Sequence, residues 1–138
     1  MKRYAGILVK CNDKVLLCKR NAIGSFPGMW SLPGGKVEEN ETTKEAAYRE
    51  FFEETAIDID DQELNFIGLI PRYTRDGKKV KGMMYVYQLD VEEQIHPDLE
   101  EAIDGEEHTD TKYFDISEIT EKETGKYLYK FLKINLTK

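Results

Sequence analysis

The chain has 138 residues, 40% hydrophobic and 34% charged, and its 20 basic and 27 acidic side chains give a net charge of −7. That length predicts one domain, 1–138, with a sizeable core, and the composition is too apolar for intrinsic disorder. The negative balance excludes a whole-surface attraction for nucleic-acid polymers, so phosphates must be met by a local basic patch or by bridging cations.

No apolar run approaches the roughly 18 residues of a membrane span. The longest near the start, Ala5–Val9, ends at Lys10 with no small-residue cleavage site after it. No membrane association and no signal peptide are expected, and the protein reads as cytoplasmic. Ala5–Cys11 and Lys14–Lys19 read as strands of a hairpin turning at Asn12-Asp13. In that register Cys18 lies opposite Ile7, more than about 10 Å from Cys11, so no disulfide is expected. A breaker-rich loop follows over 21–35 and ends in Pro33-Gly34-Gly35-Lys36, a turn whose backbone can approach a ligand closely.

Thr42 with Glu45 three residues on has capping-box spacing, and the helix it opens is expected to run to about Thr55. Phe66–Tyr73 and Val80–Asp90 read as an antiparallel pair joined through Arg75-Asp76-Gly77-Lys78. Apolar residues on both faces of the second strand predict that it is covered on both sides. An acidic loop, about Glu92 to His108, leads to a short strand at Thr111–Asp115. The carboxyl end, about Glu123 to Leu136, reads as a helix with Tyr127, Leu128, Phe131, Leu132 and Leu136 on one stripe. The order predicts an α/β (α+β) fold, a mixed β-sheet sandwiched between helices.

On a helical wheel Glu50, Glu53 and Glu54 fall within an arc of about 100°. Thr43 and Ala46 share that arc, while Tyr48, Phe51 and Phe52 lie elsewhere. The expectation is that the aromatics grip the sheet and the carboxylates converge outward. Like charges at these spacings repel by about 0.2–0.5 kcal/mol per pair, and divalent cations would relieve them. By itself such an arc is also what a solvated acidic face looks like.

Gly35, Glu41, Arg49-Glu50, Phe51, Glu53-Glu54 and Ile57 form a longer pattern, and it resembles the box of the Nudix hydrolases over residues 35–57. Six fixed matches at about 10% each have odds of roughly one in a million per start position. The lead-ins Gly28-Met-Trp-Ser-Leu-Pro-Gly-Gly-Lys-Val-Glu38 and Lys14-Val-Leu-Leu-Cys-Lys-Arg20 are similar to MutT-like members. Two positions depart from the pattern. Ala56 replaces the box glycine, which predicts an altered helix exit or modest strain, and Asn40 replaces another glycine but tolerates positive φ.

The resemblance implies a Nudix fold and hydrolysis of a nucleoside diphosphate linked to another moiety. A nucleoside or deoxynucleoside triphosphate is the first choice of substrate. It also implies Mg²⁺ or Mn²⁺ held by Glu50, Glu53 and Glu54, with the Gly34 carbonyl as a further ligand. Glu53, Arg49 and Glu107 are the expected catalytic set. Arg49 would orient a carboxylate, and Glu107 would act as general base from the segment Glu106-Glu107-His108 before an aromatic-rich strand. Arg20, Gly35, Lys36 and Glu41 are the expected substrate-side residues, Arg20 and Lys36 as phosphate contacts.

Trp30 and Phe26 read either as base-stacking groups or as core and loop anchors. His96 and His108 read as non-ligands, and Lys78-Lys79-Val80-Lys81 as a solvated hairpin tip. Tyr73 and Pro71 leave a dinucleoside polyphosphate or ADP-ribose hydrolase as the alternative. A non-catalytic nucleotide sensor is the rival from another class. The expected partner is a small nucleotide, with no stable nucleic-acid polymer and no membrane; a homodimer is left open.

Overall fold

The structure is a computed structural model that describes residues 1–21 and 26–136; Gly24 of the expected breaker loop lies outside them. Strand β1 (Lys2–Cys11) turns at Asn12, φ 55°, into β2 (Lys14–Arg20). The two pair only at the tip, Lys10 with Val15 and Cys11 with Lys14, and then splay. Into the splay go β3 (Trp30–Ser31), along β2, and β4 (Gly34–Lys36), along β1. The expected Cys18–Ile7 register is therefore wrong. Cys18 pairs with Ser31 on one side and Thr111 on the other, and both cysteines are buried and free.

The expected turn at Gly34–Lys36 is a strand because this backbone inserts directly against β1. A Cβ on Gly34 would run into the Ala5 carbonyl, so the glycine is required by close approach. Strands β5 (Asn65–Tyr73) and β6 (Val80–Val91) form the expected antiparallel pair. β6 runs parallel to β1 from Lys2–Gly82 to Cys11–Val91, which makes the sheet mixed. β7 (His108–Asp115), three residues longer than expected, pairs along the far edge of β2.

The sheet is covered on both faces, as the two-faced apolar pattern of β6 predicts. Leu8, Val15, Leu17, Val86, Phe131 and Leu132 form one core. Ile7, Val9, Leu16, Phe51, Tyr87 and Leu89 form the other. Helix α1 (Thr43–Thr55) closes the second and α3 (Lys126–Leu136) the first. The expected carboxyl-terminal helix is interrupted: a second capping box, Thr120 with Glu123, starts the short α2 (Glu121–Thr124), and Gly125 at φ 84° ends it. Leu128, Phe131 and Leu132 of the stripe are buried, but Tyr127 turns outward and stacks on Tyr73 with centroids 4.7 Å apart. Among the described residues no helix is long and apolar enough to cross a membrane.

α1 begins as its sequence predicts. Thr42 Oγ1 accepts from Glu45 N at 3.0 Å, and Glu45 Oε1 accepts from Thr42 N at 2.9 Å. Its exit keeps the left-handed form that glycine usually supplies: Ala56 sits at φ 63°, ψ 14°, and its N–H donates to Phe52 O at 2.9 Å. The substitution therefore leaves the helix exit in place and strains the Cβ, at a cost of about 1–2 kcal/mol. Ala56→Gly removes that strain but adds about 0.4–1 kcal/mol of unfolded-chain entropy. The expected net gain is about 0.5–1 kcal/mol, or about 2–4 °C in Tm, read by thermal melting. A lower Tm for Ala56→Gly would contradict the strain.

Candidate active site

The small residues of α1 decide which of its faces meets the sheet. Ala46 and Ala47 are buried and let the helix come close, and Glu50 and Glu54 lie on the same strip one and two turns on. The carboxylates thus face inward, contrary to the outward face expected from the wheel. Glu54 is 1% exposed, whereas Phe52, expected to bury, is 44% exposed. Phe51 alone of the three aromatics is fully buried.

Opposite this strip lies the glycine strand β4. Gly34 N–H donates to Glu54 Oε1 at 3.3 Å. The Glu50 carboxylate lies over Gly35, where a Cβ would stand 2.5 Å from it. Glu54 Oε2 is buried with no hydrogen-bond partner. Burial pushes the Glu54 carboxyl well above the usual carboxylate range, and a hydrogen bond shared with Glu50 and the charges of Glu107 and Glu50 push it further. Burial also raises Glu50, against the pull of Arg49.

His108 packs against this pair from the start of β7, its Nε2 3.7 Å from Glu54 Oε1. Burial, with the charge of Arg20, holds its pKa at about 4, so the ring is uncharged at neutral pH and the contact is not a salt bridge.

Arg49 gathers the remaining box residues. Its Nε and Nη2 grip the two oxygens of Glu41 at 2.8 and 3.0 Å, and Nη1 reaches Glu53 Oε1 at 2.7 Å and Glu50 Oε1 at 3.0 Å. Nη2 also donates to the Lys36 carbonyl at 3.0 Å. A planar fork engaged on every edge fixes both itself and its carboxylates, unlike an ordinary exposed i,i+4 pair. Glu41, held by Arg49, stays below the usual carboxylate range.

Glu107 arrives by a route invisible in its own segment. The last carbonyls of a helix need donors, and the acidic loop supplies them: Asp98 N–H to Thr55 O at 2.9 Å and Asp104 N–H to Glu53 O at 2.7 Å. This docking brings Glu107, at the end of the 3₁₀ turn Gly105–Glu107, within electrostatic range of Glu50 and Glu54. Burial and the charges of Asp104 and Glu50 raise its carboxyl, while Arg20 opposes them.

A cleft of about 320 Å³ opens on the α3 side of the sheet, lined among others by Arg20, Trp30, Arg72, Tyr73 and Tyr127. Trp30 lines this cleft and packs edge-on against Phe114 at 5.0 Å, which makes it an anchor. Phe26 also lines the cleft. Lys36 is exposed and does not line it; its backbone carbonyl holds Arg49. Arg72 was missed in the sequence, where a cation between Pro71 and Tyr73 near a basic hairpin carries no distinguishing signal.

No three His, Cys, Asp or Glu side chains among the described residues form a ready-made cation cage. The donor chemistry for one is nevertheless present. Glu50 and Glu54 are desolvated together, Glu54 Oε2 is an orphan acceptor, and Glu53 stands on the same Arg49 nitrogen as Glu50. A divalent cation satisfies such a set where neighbouring protein groups do not.

A family model described as the NUDIX domain matches residues 1–133. An 8-oxo-dGTP diphosphatase of Proteus vulgaris is 38% identical over 55 residues, covering 40% of this chain and 49% of that protein. An ADP-ribose pyrophosphatase of Methanocaldococcus jannaschii is 43% identical over 82 residues, covering 59% of this chain and 36% of that protein. The chain thus spans half or less of the length of these curated relatives. A crystal structure of a MutT NUDIX hydrolase from Burkholderia pseudomallei superposes with a TM-score of 0.77 at 19% identity, covering 98% of this chain and 97% of that one.

The buried carboxyls set a pH dependence whose sign can be worked out. A carboxyl raised on folding binds more protons in the native than in the unfolded state, so stability falls as pH climbs from about 4.5 through the raised value. His108, depressed on folding, contributes the opposite trend, its stability being lost as pH falls from 6.5 towards about 4. Comparing wild type with Glu54→Gln cancels the histidine. In EDTA, Glu54→Gln should melt above wild type at pH 8, with the advantage shrinking towards pH 4.5. Equal melting differences at both pH values would contradict the buried charge.

Proposed function

The chain belongs to the NUDIX family, and on that premise we propose that it is a divalent-cation-dependent pyrophosphohydrolase of nucleotides. Its substrate is a nucleoside diphosphate linked to another moiety, a nucleoside or deoxynucleoside triphosphate first. The observation that carries this reading is the desolvated pair Glu50–Glu54 beside the Arg49-held Glu53, next to a cleft rich in aromatic rings and guanidinium groups.

Glu50, Glu53 and Glu54, with the Gly34 carbonyl, would hold Mg²⁺ or Mn²⁺. Such ions neutralise phosphoryl oxygens as charge moves onto them. Arg49 is a positioning residue: its fork keeps Glu50 and Glu53 in single rotamers against their mutual repulsion. Gly35 leaves the space that the Glu50 carboxylate occupies. Water attacks one phosphorus of the diphosphate, the bond to the leaving phosphate oxygen breaks, and a Glu107 carboxylate oxygen takes the water's proton. The raised pKa of Glu107 favours that transfer, since a better base lies nearer the working pH. Arg20, close enough for its charge to lower Glu107, meets the substrate's phosphates.

A second substrate reading has its own support. Pro71 and Tyr73 both line the cleft, with Tyr73 stacked on Tyr127. Paired rings of that kind suit a second nucleoside or a ribose-linked adenine, as in a dinucleoside polyphosphate or ADP-ribose. The sensor reading is disfavoured because every box carboxylate is present.

The test is a panel of nucleoside triphosphates, ADP-ribose and diadenosine tetraphosphate with Mg²⁺, the products separated by chromatography. A triphosphate should be cut to a monophosphate and pyrophosphate. Glu53→Gln should lose at least ~100-fold in turnover. Glu107→Gln should lower kcat by ~10²–10⁴ with little change in KM. Tight nucleotide binding without cleavage of any diphosphate would replace the enzyme by the sensor. Small, equal effects at Glu106, Glu107 and Asp110 would return the base to Glu50 or Glu53.

A further inference from the structure

We infer that Arg72 is the phosphate-gripping residue of the cleft. Its guanidinium, laid over the Tyr4 ring, takes the phosphate group on the nucleoside side of a bound nucleotide. This deepens the nucleotide reading above and rests on it.

Arg72 sits on β5 on the same side of the sheet as Ile70, and both line the cleft with Trp30, Tyr127 and Arg20. Its Cζ stands 4.8 Å from the centroid of the Tyr4 ring, whose side chain belongs to the core beneath. Stacking uses the flat face of a guanidinium and leaves its N–H edge free for in-plane acceptors. The residue is only partly exposed, and among the described residues no carboxylate forms an ion pair with it. Two cations stand near it: Arg20 shares the cleft, and Lys81 Nζ approaches the same Tyr4 ring at 5.6 Å.

A desolvated guanidinium facing other cations inside a cleft is costly unless an anion completes it. Burial and the charge of Arg20 accordingly pull the Arg72 pKa down, while Glu54 pulls it back. Arg20, in the same cleft, pairs with His108, which lies 3.7 Å from Glu54. Tyr4, under Arg72, pairs with Lys36 of the glycine strand whose Gly34 meets Glu54, so Arg72 lies at the end of the cleft nearer the buried carboxyl. A nucleotide whose base lies against the rings and whose scissile bond lies at the carboxylates must pass its first phosphate across that position. The rigid fork on a stacked platform offers two parallel N–H···O bonds to such a phosphate.

The test needs no cation and no turnover. Binding of the 5′-monophosphates of A, C, G and U, and of the four nucleosides, is measured by calorimetry in EDTA for wild type, Arg72→Gln and Arg72→Lys, with melting curves for all three. Wild type should prefer at least one monophosphate over its nucleoside by about 10- to 100-fold, the usual range for a charge-assisted bidentate contact. Arg72→Gln should abolish that preference while leaving nucleoside affinity unchanged, and Arg72→Lys should keep only a small part of it. A preference that survives in Arg72→Gln overturns the inference. So does an equal loss for nucleoside and monophosphate, or a wild type without any preference. Diphosphate hydrolysis without monophosphate preference would remove Arg72 and leave the enzyme standing; an Arg72-dependent preference without hydrolysis would do the reverse.

Discussion

Two glutamates on the inner face of one helix, Glu54 buried and Glu50 half-buried, are the constraint around which the rest of the site is arranged. Glu50 and Glu54 occupy positions where a helix normally places leucine or phenylalanine, and they meet a strand of glycines instead of a hydrophobic surface. Each surrounding device answers the resulting charge. Gly34 contributes an N–H and Arg49 a guanidinium edge, while His108 lies alongside as an uncharged ring. Two buried atoms among the described residues remain without a hydrogen-bond partner, Glu54 Oε2 and His108 Nδ1, and the first is an acceptor that a cation would satisfy.

The splay of β1 and β2 is what makes the arrangement buildable. Had the hairpin paired over its whole length, the chain of β3 and β4 would lie outside the sheet. The glycine strand could not then pass beneath α1. Because the strands part after two residue pairs, backbone with no side chains lines the carboxylates from below. The acidic loop is tied in from above by the unsatisfied carbonyls at the end of α1. Helix end, glycine strand and loop thus converge on one spot for separate local reasons, all of them hydrogen-bonding requirements of the backbone.

Features governed by short-range rules were legible in the sequence. The Thr42–Glu45 capping box, the helix end near Thr55, the β5–β6 pair and the two-faced burial of β6 all follow from local spacing. The box residues Glu41, Arg49, Glu50 and Glu53 could be named because their pattern is long and specific, and one guanidinium does bring them together. Features that depend on tertiary approach were not legible. Periodicity ranks residues by polarity and so assigned the carboxylates outward and Phe52 inward. The deciding quantity was the small volume of Ala46 and Ala47, which draws that strip onto the sheet. The break at Gly125, the strand at Gly34–Lys36 and the stacked guanidinium of Arg72 likewise depend on partners remote in sequence.

The most direct test is whether a divalent cation displaces a proton held by the raised carboxyls of Glu50 and Glu54. Calorimetric titration with Mn²⁺ at pH 6, run in two buffers of different ionisation enthalpy, counts the protons released per ion bound. Wild type should bind Mn²⁺ with net proton release, and Glu54→Gln should bind at least ~10-fold more weakly with less release. Equal Mn²⁺ affinity in the two proteins, or binding by wild type with no proton released, would contradict a cation site on this pair.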